Sequence, residues 1–244
     1  MKLRIVSTCF NERDMIGFYL RHYASHADEI ILYDDNSDDG SRAIAACCPI
    51  VQLRPWPFPS GLADDRMMDL WQLAQHEAKK DGVDWIAMPD IDEILYSPHG
   101  LRQTCLYADE RGYQVISSEG WNMTGDGLPV DDGTSQIYEL LQTGVRAPVY
   151  AKSIIVNPRT PVNWNRGRHA LEGCSPRVSP KPMVKLLHYR YLGLEYTKRR
   201  NARNYARVGA DKGCAWSNAP DYHGEHSAQW AEGAKKLALN AITA

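Results

Sequence analysis

The sequence predicts an α/β fold with a mostly parallel central sheet and helices on both faces, and three observations carry it. Strand and helix patterns alternate through residues 3–97, and connections of that length suit parallel pairing. The first two strands each end in a polar cluster, Asn11-Glu12 and Asp34-Asp35-Asn36-Ser37-Asp38-Asp39-Gly40-Ser41. A later apolar run, Trp85 to Met88, leads into Asp90, Asp92 and Glu93. Pro89 has no N–H for a sheet ladder, so that strand ends there and places the three acids at its carboxyl end, where open α/β sheets bind ligands.

In chain order, Leu3 to Cys9 reads as the first strand. A helix follows, with Ile16, Tyr19, Leu20 and Tyr23 on one face, Asn11 as its cap and Asp14 in its first turn. Glu29 to Tyr33 is a second strand, a short helix runs to Cys47, and Ile50 to Leu53 is a third strand. Residues 54–61 form a proline-rich loop. Ala63 to Lys80 has acids in its first turn, lysines in its last and Gly82 beyond, with Met67, Leu70, Trp71, Ala74 and Ala78 at helical spacing. Asp84 to Met88 is the fourth strand. Leu101 to Glu110 reads as a helix, Gln114 to Ser118 as a strand, and 119–148 as a long loop. Ala151 to Val156 and Met183 to Leu187 are strands, with irregular chain between them. Glu195 to Val208 is a basic helix, and Ser227 to Ile242 a docked one. The whole chain reads as one domain, with a ligand-binding half over about 1–97 and a second half over about 98–244.

The totals exclude several classes. Of 244 residues, 43% are hydrophobic and the net charge is −2, which suits a packed core and not a nucleic-acid-binding surface. No apolar run reaches the ~20 residues of a membrane span. The first strand starts at the N-terminus with no signal-peptide core. Six cysteines fall in no Cys-x-x-Cys pair, so they read as reduced thiols of a cytoplasmic protein.

An isolated Asp-x-Asp is most often a solvated turn. Here three acids within four residues repel one another unless a cation neutralises them, and hard oxygen ligands suit Mn²⁺ or Mg²⁺. His188, at the end of the last predicted strand, offers a second, softer ligand or is a buried strand-end histidine. A His188-x4-Gly193-x4-Lys198 run could bring amides and a cation to a phosphate, while most of the basic-helix residues face water. No Gly-x-Gly-x-x-Gly follows the first strand, so a dinucleotide fingerprint is absent.

Asn11-Glu12, the Asp34-to-Ser41 turn, the helix before the central strand and Asp90-Ile91-Asp92-Glu93, in that order, resemble the GT-A glycosyltransferases of the family 2 type. The resemblance covers about residues 3–97. Gly167-Arg168-His169 and Lys185-Leu186-Leu187-His188-Tyr189 also look like a bacterial subgroup of these enzymes. It implies inverting transfer of a sugar from a nucleoside diphosphate. It also implies that Asn11 and Glu12 lie against the base, that Asp35 hydrogen-bonds the base ring, and that Arg66 sits near base or diphosphate. Asp90 would contact ribose or metal, and Asp92 would hold the metal. The acceptor would be a saccharide or a lipid-linked one, reached from the cytoplasm with a peripheral membrane contact.

Inverting transfer needs a general base, and the family's usual Glu-Asp pair is not visible. Candidates are Asp126, Glu119, Glu172 and His169. Asp126 stands out because the flanking glycines let its loop approach a substrate. Two other readings stand beside it: a haloacid-dehalogenase-like phosphatase, which also has an apolar strand ending in Asp-x-Asp but places it near the start of the domain, whereas three strands come first here, and a non-catalytic nucleotide-sugar-binding protein, which would share every upstream motif. An EF-hand fails because its sixth and twelfth positions would be Leu95 and Leu101.

Overall fold

The computed structural model describes residues 1–56, 63–208 and 235–236. Eleven strands and six α-helices among them build two sheets. The first has β1 (Leu3–Cys9), β2 (Glu29–Asp34), β3 (Val51–Pro55) and β4 (Trp85–Ala87) in the order β3-β2-β1-β4, all parallel. Two short antiparallel strands, β9 (Ile155–Val156) and β6 (Val115–Ile116), extend it beyond β4. The α/β class and the parallel-rich sheet are as the sequence predicts.

In β2 and β4 the runs Ile30 to Tyr33 and Trp85 to Ala87 are unbroken and apolar because both faces of the sheet are covered there. Alternate residues go to opposite sides. Leu3, Ile5, Ile30, Leu32, Trp85 and Ala87 pack with α1 (Arg13–Ala24) and α4 (Leu101–Glu110). Val6, Ile31, Tyr33, Ile86 and Met88 pack with Leu70, Trp71, Ala74 and Ala78 of α3 (Ala63–Lys80). Gly82, at φ +69, turns the chain out of α3.

The second sheet was not foreseen. Its order is β11 (Lys235–Lys236), β8 (Thr143–Arg146), β7 (Ser118–Met123), β10 (Val184–His188) and β5 (Glu93–Tyr96). Residues 119–148, expected as loop, carry most of β7, the short α5 (Ile137–Leu140) and β8. Glu93, read as part of an acidic turn, begins β5 and pairs with His188 in antiparallel register. The helix expected over 227–242 lies outside the described residues except for Lys235–Lys236, which form a strand instead. No helix among the described residues is long and apolar enough to cross a membrane.

Candidate active site

Three strand ends meet at the carboxyl edge of the parallel sheet. The turn after β1 and the turn after β2 clasp each other. Asn11 is left-handed (φ 52). Its Nδ2 donates to Asp38 Oδ1 at 2.8 Å, and its Oδ1 accepts from the Asp38 N–H at 2.9 Å. Asn11 is therefore not the cap of α1. The N–H groups there donate instead to the second turn, that of Glu12 to Ser41 Oγ and that of Arg13 to Asp39 Oδ2. The second turn is built of Asx and Ser residues because their oxygens replace the helical acceptors a strand-to-helix junction lacks.

The third end carries the acids. Asp90 Oδ1 accepts from Arg168 Nη2 at 2.5 Å and Oδ2 from Lys152 Nζ at 2.9 Å. The same ammonium lies 2.5 Å from Glu93 Oε1, and Glu93 Oε2 accepts the Asp90 N–H. Arg168 also donates to the Met88 carbonyl and stacks on Trp71 at 4.2 Å. Burial works against the Asp90 charge, yet Arg168 and Lys152 hold its carboxyl well below the usual range. Glu93 is pushed up, since burial and the neighbouring acids outweigh Lys152. Lys152 is held up: burial opposes its charge, but Asp90 and Glu93 favour it more.

Asp92 belongs to a different set. Its Oδ2 accepts from Arg200 Nη1 at 2.6 Å and lies 3.6 Å from His188 Nε2. Burial disfavours the Asp92 charge, but the Arg200 guanidinium brings its pKa to about 2. Burial lowers His188 to about 3 despite Asp92, so its imidazole is neutral at pH 7. Its Nδ1 lies 2.9 Å from Asn122 Oδ1, and its ring stacks against Tyr150 at 4.4 Å.

The roof of the site is α6 (Leu194–Val208), whose arginines 200, 203 and 207 share one face. Arg200 Nη2 and Arg203 Nη2 lie 2.9 and 3.0 Å from Glu12 Oε1, and Arg203 also donates to the Asn11 carbonyl. Arg207 Nε donates to Asp35 Oδ2 at 2.5 Å and its guanidinium lies over the Phe10 ring. Between α1 and α6 a cavity of about 240 Å³ is lined by Glu12, Arg13, Asp39, Tyr196, Arg200 and Arg203, among others.

The structure thus brings together Asn11, Glu12, Asp35, Asp90, Asp92 and His188. It does not unite Asp90, Asp92 and His188 as one ligand set, because Arg168 and Lys152 take both Asp90 oxygens. Among the described residues no group of three His, Cys, Asp or Glu side chains is disposed to hold a metal. Lys198 points away: half exposed, it lies 4.0 Å from Glu195. Arg66 is exposed on α3. His169 is on the rim, where partial burial and then the Lys152 ammonium lower its pKa. Asp126 is exposed, and its carbonyl packs beneath Gly193.

Four cations escaped the sequence reading. Arg200, Arg203 and Arg207 were legible as a single helical face, and their spacing was the missed signal. Lys152 had a weaker one, as the lone charge in the run 147–156.

No protein-family model matches the chain, and no curated protein matches it significantly. Solved structures similar to it include a 4-diphosphocytidyl-2C-methyl-D-erythritol synthase (TM-score 0.39, 9% identity, covering 65% of this chain and 76% of that one). Others are a mannosyl-3-phosphoglycerate synthase from Rubrobacter xylanophilus (0.36, 16%, 57% and 44%) and a mannose-1-phosphate geranyltransferase from Thermus thermophilus (0.31, 14%, 50% and 42%). The chain spans less than half the length of the latter two. Likeness at this level says nothing of activity here, and the functional reading comes from the site.

Proposed function

We propose that the chain is a glycosyltransferase that moves a sugar from a nucleoside diphosphate sugar to an acceptor hydroxyl, with inversion. The observation that supports it is the convergence of Glu12, Asp35 and Asp92, from three parallel strand ends, beneath the arginines of α6. Carboxylates recognise ribose hydroxyls and base N–H groups, and arginines recognise phosphate oxygens.

Asp92 and the neutral His188 suit a divalent ion. Mg²⁺ or Mn²⁺ takes one or two protein ligands and completes its shell with phosphate and water. Such an ion would offset the negative charge that grows on a departing diphosphate. Asn122 fixes the His188 ring from the far nitrogen, as a partner behind a metal-binding histidine does. In this reading Asp90 braces the strand end and contacts no metal.

The acceptor proton needs a base. His169 is neutral at pH 7 and lies in the field of Asp90 and Lys152, so it fits that role better than Asp126. The phosphatase reading has less support, because Asp90, its nucleophile, has both oxygens engaged by cations.

The test is a thermal-shift panel of UDP, GDP, dTDP, CDP and CMP, each with Mn²⁺, Mg²⁺ or EDTA. A ligand at a hundredfold excess over its Kd stabilises the folded state by about 2.7 kcal/mol. One diphosphate is expected to raise Tm with metal and not with EDTA. No shift with any nucleotide would overturn the reading.

A further inference from the structure

Among the described residues, three that are not glycine hold left-handed backbone: Asn11, Asn36 and Arg168. Asparagine tolerates that region, but a long side chain such as arginine rarely enters it. Arg168, at φ 64, directly follows Gly167, at φ 77. Strained backbone of this kind persists where the surroundings over-determine it, and it gathers at functional sites.

The surroundings of Arg168 do over-determine it. Trp164 and Leu171 pair at the base of a hairpin. Above them Asn165 brackets the turn three times. Its N–H donates to the Ala170 carbonyl at 3.0 Å, its carbonyl accepts the Arg168 N–H at 2.9 Å, and its Oδ1 accepts the Ala170 N–H at 2.9 Å. The Arg168 side chain then drops into the molecule. It stacks on Trp71, donates to the Met88 carbonyl and reaches Asp90 Oδ1 at 2.5 Å.

The next residue, His169, stays exposed, yet its ring is held. It hydrogen-bonds the Ala151 backbone. It also packs on the tip of the turn, where a Cβ on Gly167 would lie 2.8 Å from its Cδ2 and Nε2. Trp164 Nε1 donates to the Ser153 carbonyl at 2.9 Å. The hairpin thus sits on residues 151 and 153, on either side of Lys152, and its arginine sits on Asp90, the carboxylate that Lys152 also meets. Consecutive left-handed residues are what let one turn send a guanidinium inwards and leave the neighbouring imidazole at the rim of the same acidic strand end.

We infer that Asp90 and Arg168 are positioning residues for His169: the carboxylate fixes the arginine, the arginine fixes the left-handed turn, and the turn holds the imidazole for the acceptor hydroxyl. This rests on the reading of His169 as the base of a sugar transfer. In that step the acceptor oxygen bonds the sugar carbon, the bond from that carbon to the diphosphate oxygen breaks with its electron pair leaving on the diphosphate, and the hydroxyl proton goes to His169. The first acid of Asp90-Ile91-Asp92-Glu93 then serves proton transfer rather than ribose or metal.

The experiment follows nucleotide release from UDP-, GDP-, dTDP- and CDP-glucose with Mn²⁺, water taking the acceptor's place. It compares the wild type, Arg168→Lys, His169→Asn and the double variant. Lysine keeps the charge of Arg168 and loses the planar fork that spans Met88 and Asp90. Each single variant should lower kcat about a hundredfold or more, the worth of a general base, with KM for the donor changed less than about threefold. The double variant should be no slower than His169→Asn alone, because a residue that acts through His169 has nothing left to act on. Asp90→Asn should behave as Arg168→Lys does. Should Arg168→Lys not fold, Gly167→Ala on the exposed tip, whose methyl group displaces the ring, enters the same cycle with the same expectation. Losses that multiply in the double variant would overturn the positioning role and leave the transfer standing, as would a His169→Asn variant as fast as the wild type. A wild type that releases no nucleotide from any donor would overturn the transfer reading, and the inference with it.

Discussion

Single residues in this chain are decided by what buries them. His22 sits on the inner face of α1, 2% exposed, with its Nε2–H directed at the Leu95 carbonyl at 3.1 Å. Burial, reinforced by His26, lowers its pKa to about 3. The unfolded chain takes up this proton near pH 6.5, before the folded one does. Its contribution is therefore complete above about pH 6.5 and drains away by about 1.4 kcal/mol per pH unit as the pH falls towards 3. His22→Gln keeps a donor for Leu95 and removes the titration. Urea unfolding of both proteins between pH 7 and pH 4.5 should show a shallower acid slope in the variant, and parallel slopes would refute the assignment. Residue types pointed to such places without naming partners. Asp90 and Asp92 were visible as a pair of acids, but nothing in their spacing said that one would face Lys152 and the other Arg200.

Elements show a different division. The helices α1, α3 and α4 were legible because apolar residues recur at helical spacing and glycine ends α3 at Gly82. The strands β7 and β8 were not, because polar and small residues fill them: Ser118-Glu119-Gly120-Trp121-Asn122-Met123 has no period-two pattern and a glycine in the middle. That glycine has a reason. A Cβ on Gly120 would stand 2.5 Å from the Ala147 carbonyl oxygen and from the Ala151 nitrogen, both backbone. The segment that carries Tyr150, stacked on His188, lies directly against β7. Gly120→Ala should therefore cost about 1–3 kcal/mol of stability by overpacking, read by chemical denaturation. It should also weaken Mn²⁺ binding through His188. A neutral effect on stability would show that the 148–150 turn gives way freely.

At the scale of the whole molecule, the two sheets are joined at the acidic stretch. Asp90 follows the parallel sheet, Glu93 opens the second sheet, and Lys152 precedes β9 of the first. Its ammonium therefore staples the two sheets through buried charge. Lys152→Met should destabilise the fold by about 3–5 kcal/mol at pH 7, the usual cost of leaving one partner of a buried pair alone. The loss should shrink on mild acidification, because Glu93, already pushed up by burial, can then take a proton. Adding Glu93→Gln should recover part of it, so the double variant in guanidinium unfolding should lie well above the sum of the singles. Strict additivity would mean that the staple carries no energy.

The sequence by itself determined the α/β class, the strand-helix order through residue 97 and the identity of the acids at the strand ends. Those follow from local period and from breakers, which act within a few residues. Tertiary structure alone decided the second sheet, the separation of Asp90 from Asp92, and the descent of Arg200, Arg203 and Arg207 onto acids 108 to 191 residues away in the case of Arg200 and Arg203. Local pattern cannot specify such pairings. A charged side chain looks equally solvated in sequence whether it faces water or a carboxylate, and only the packing of α6 over the strand ends removes the water between them.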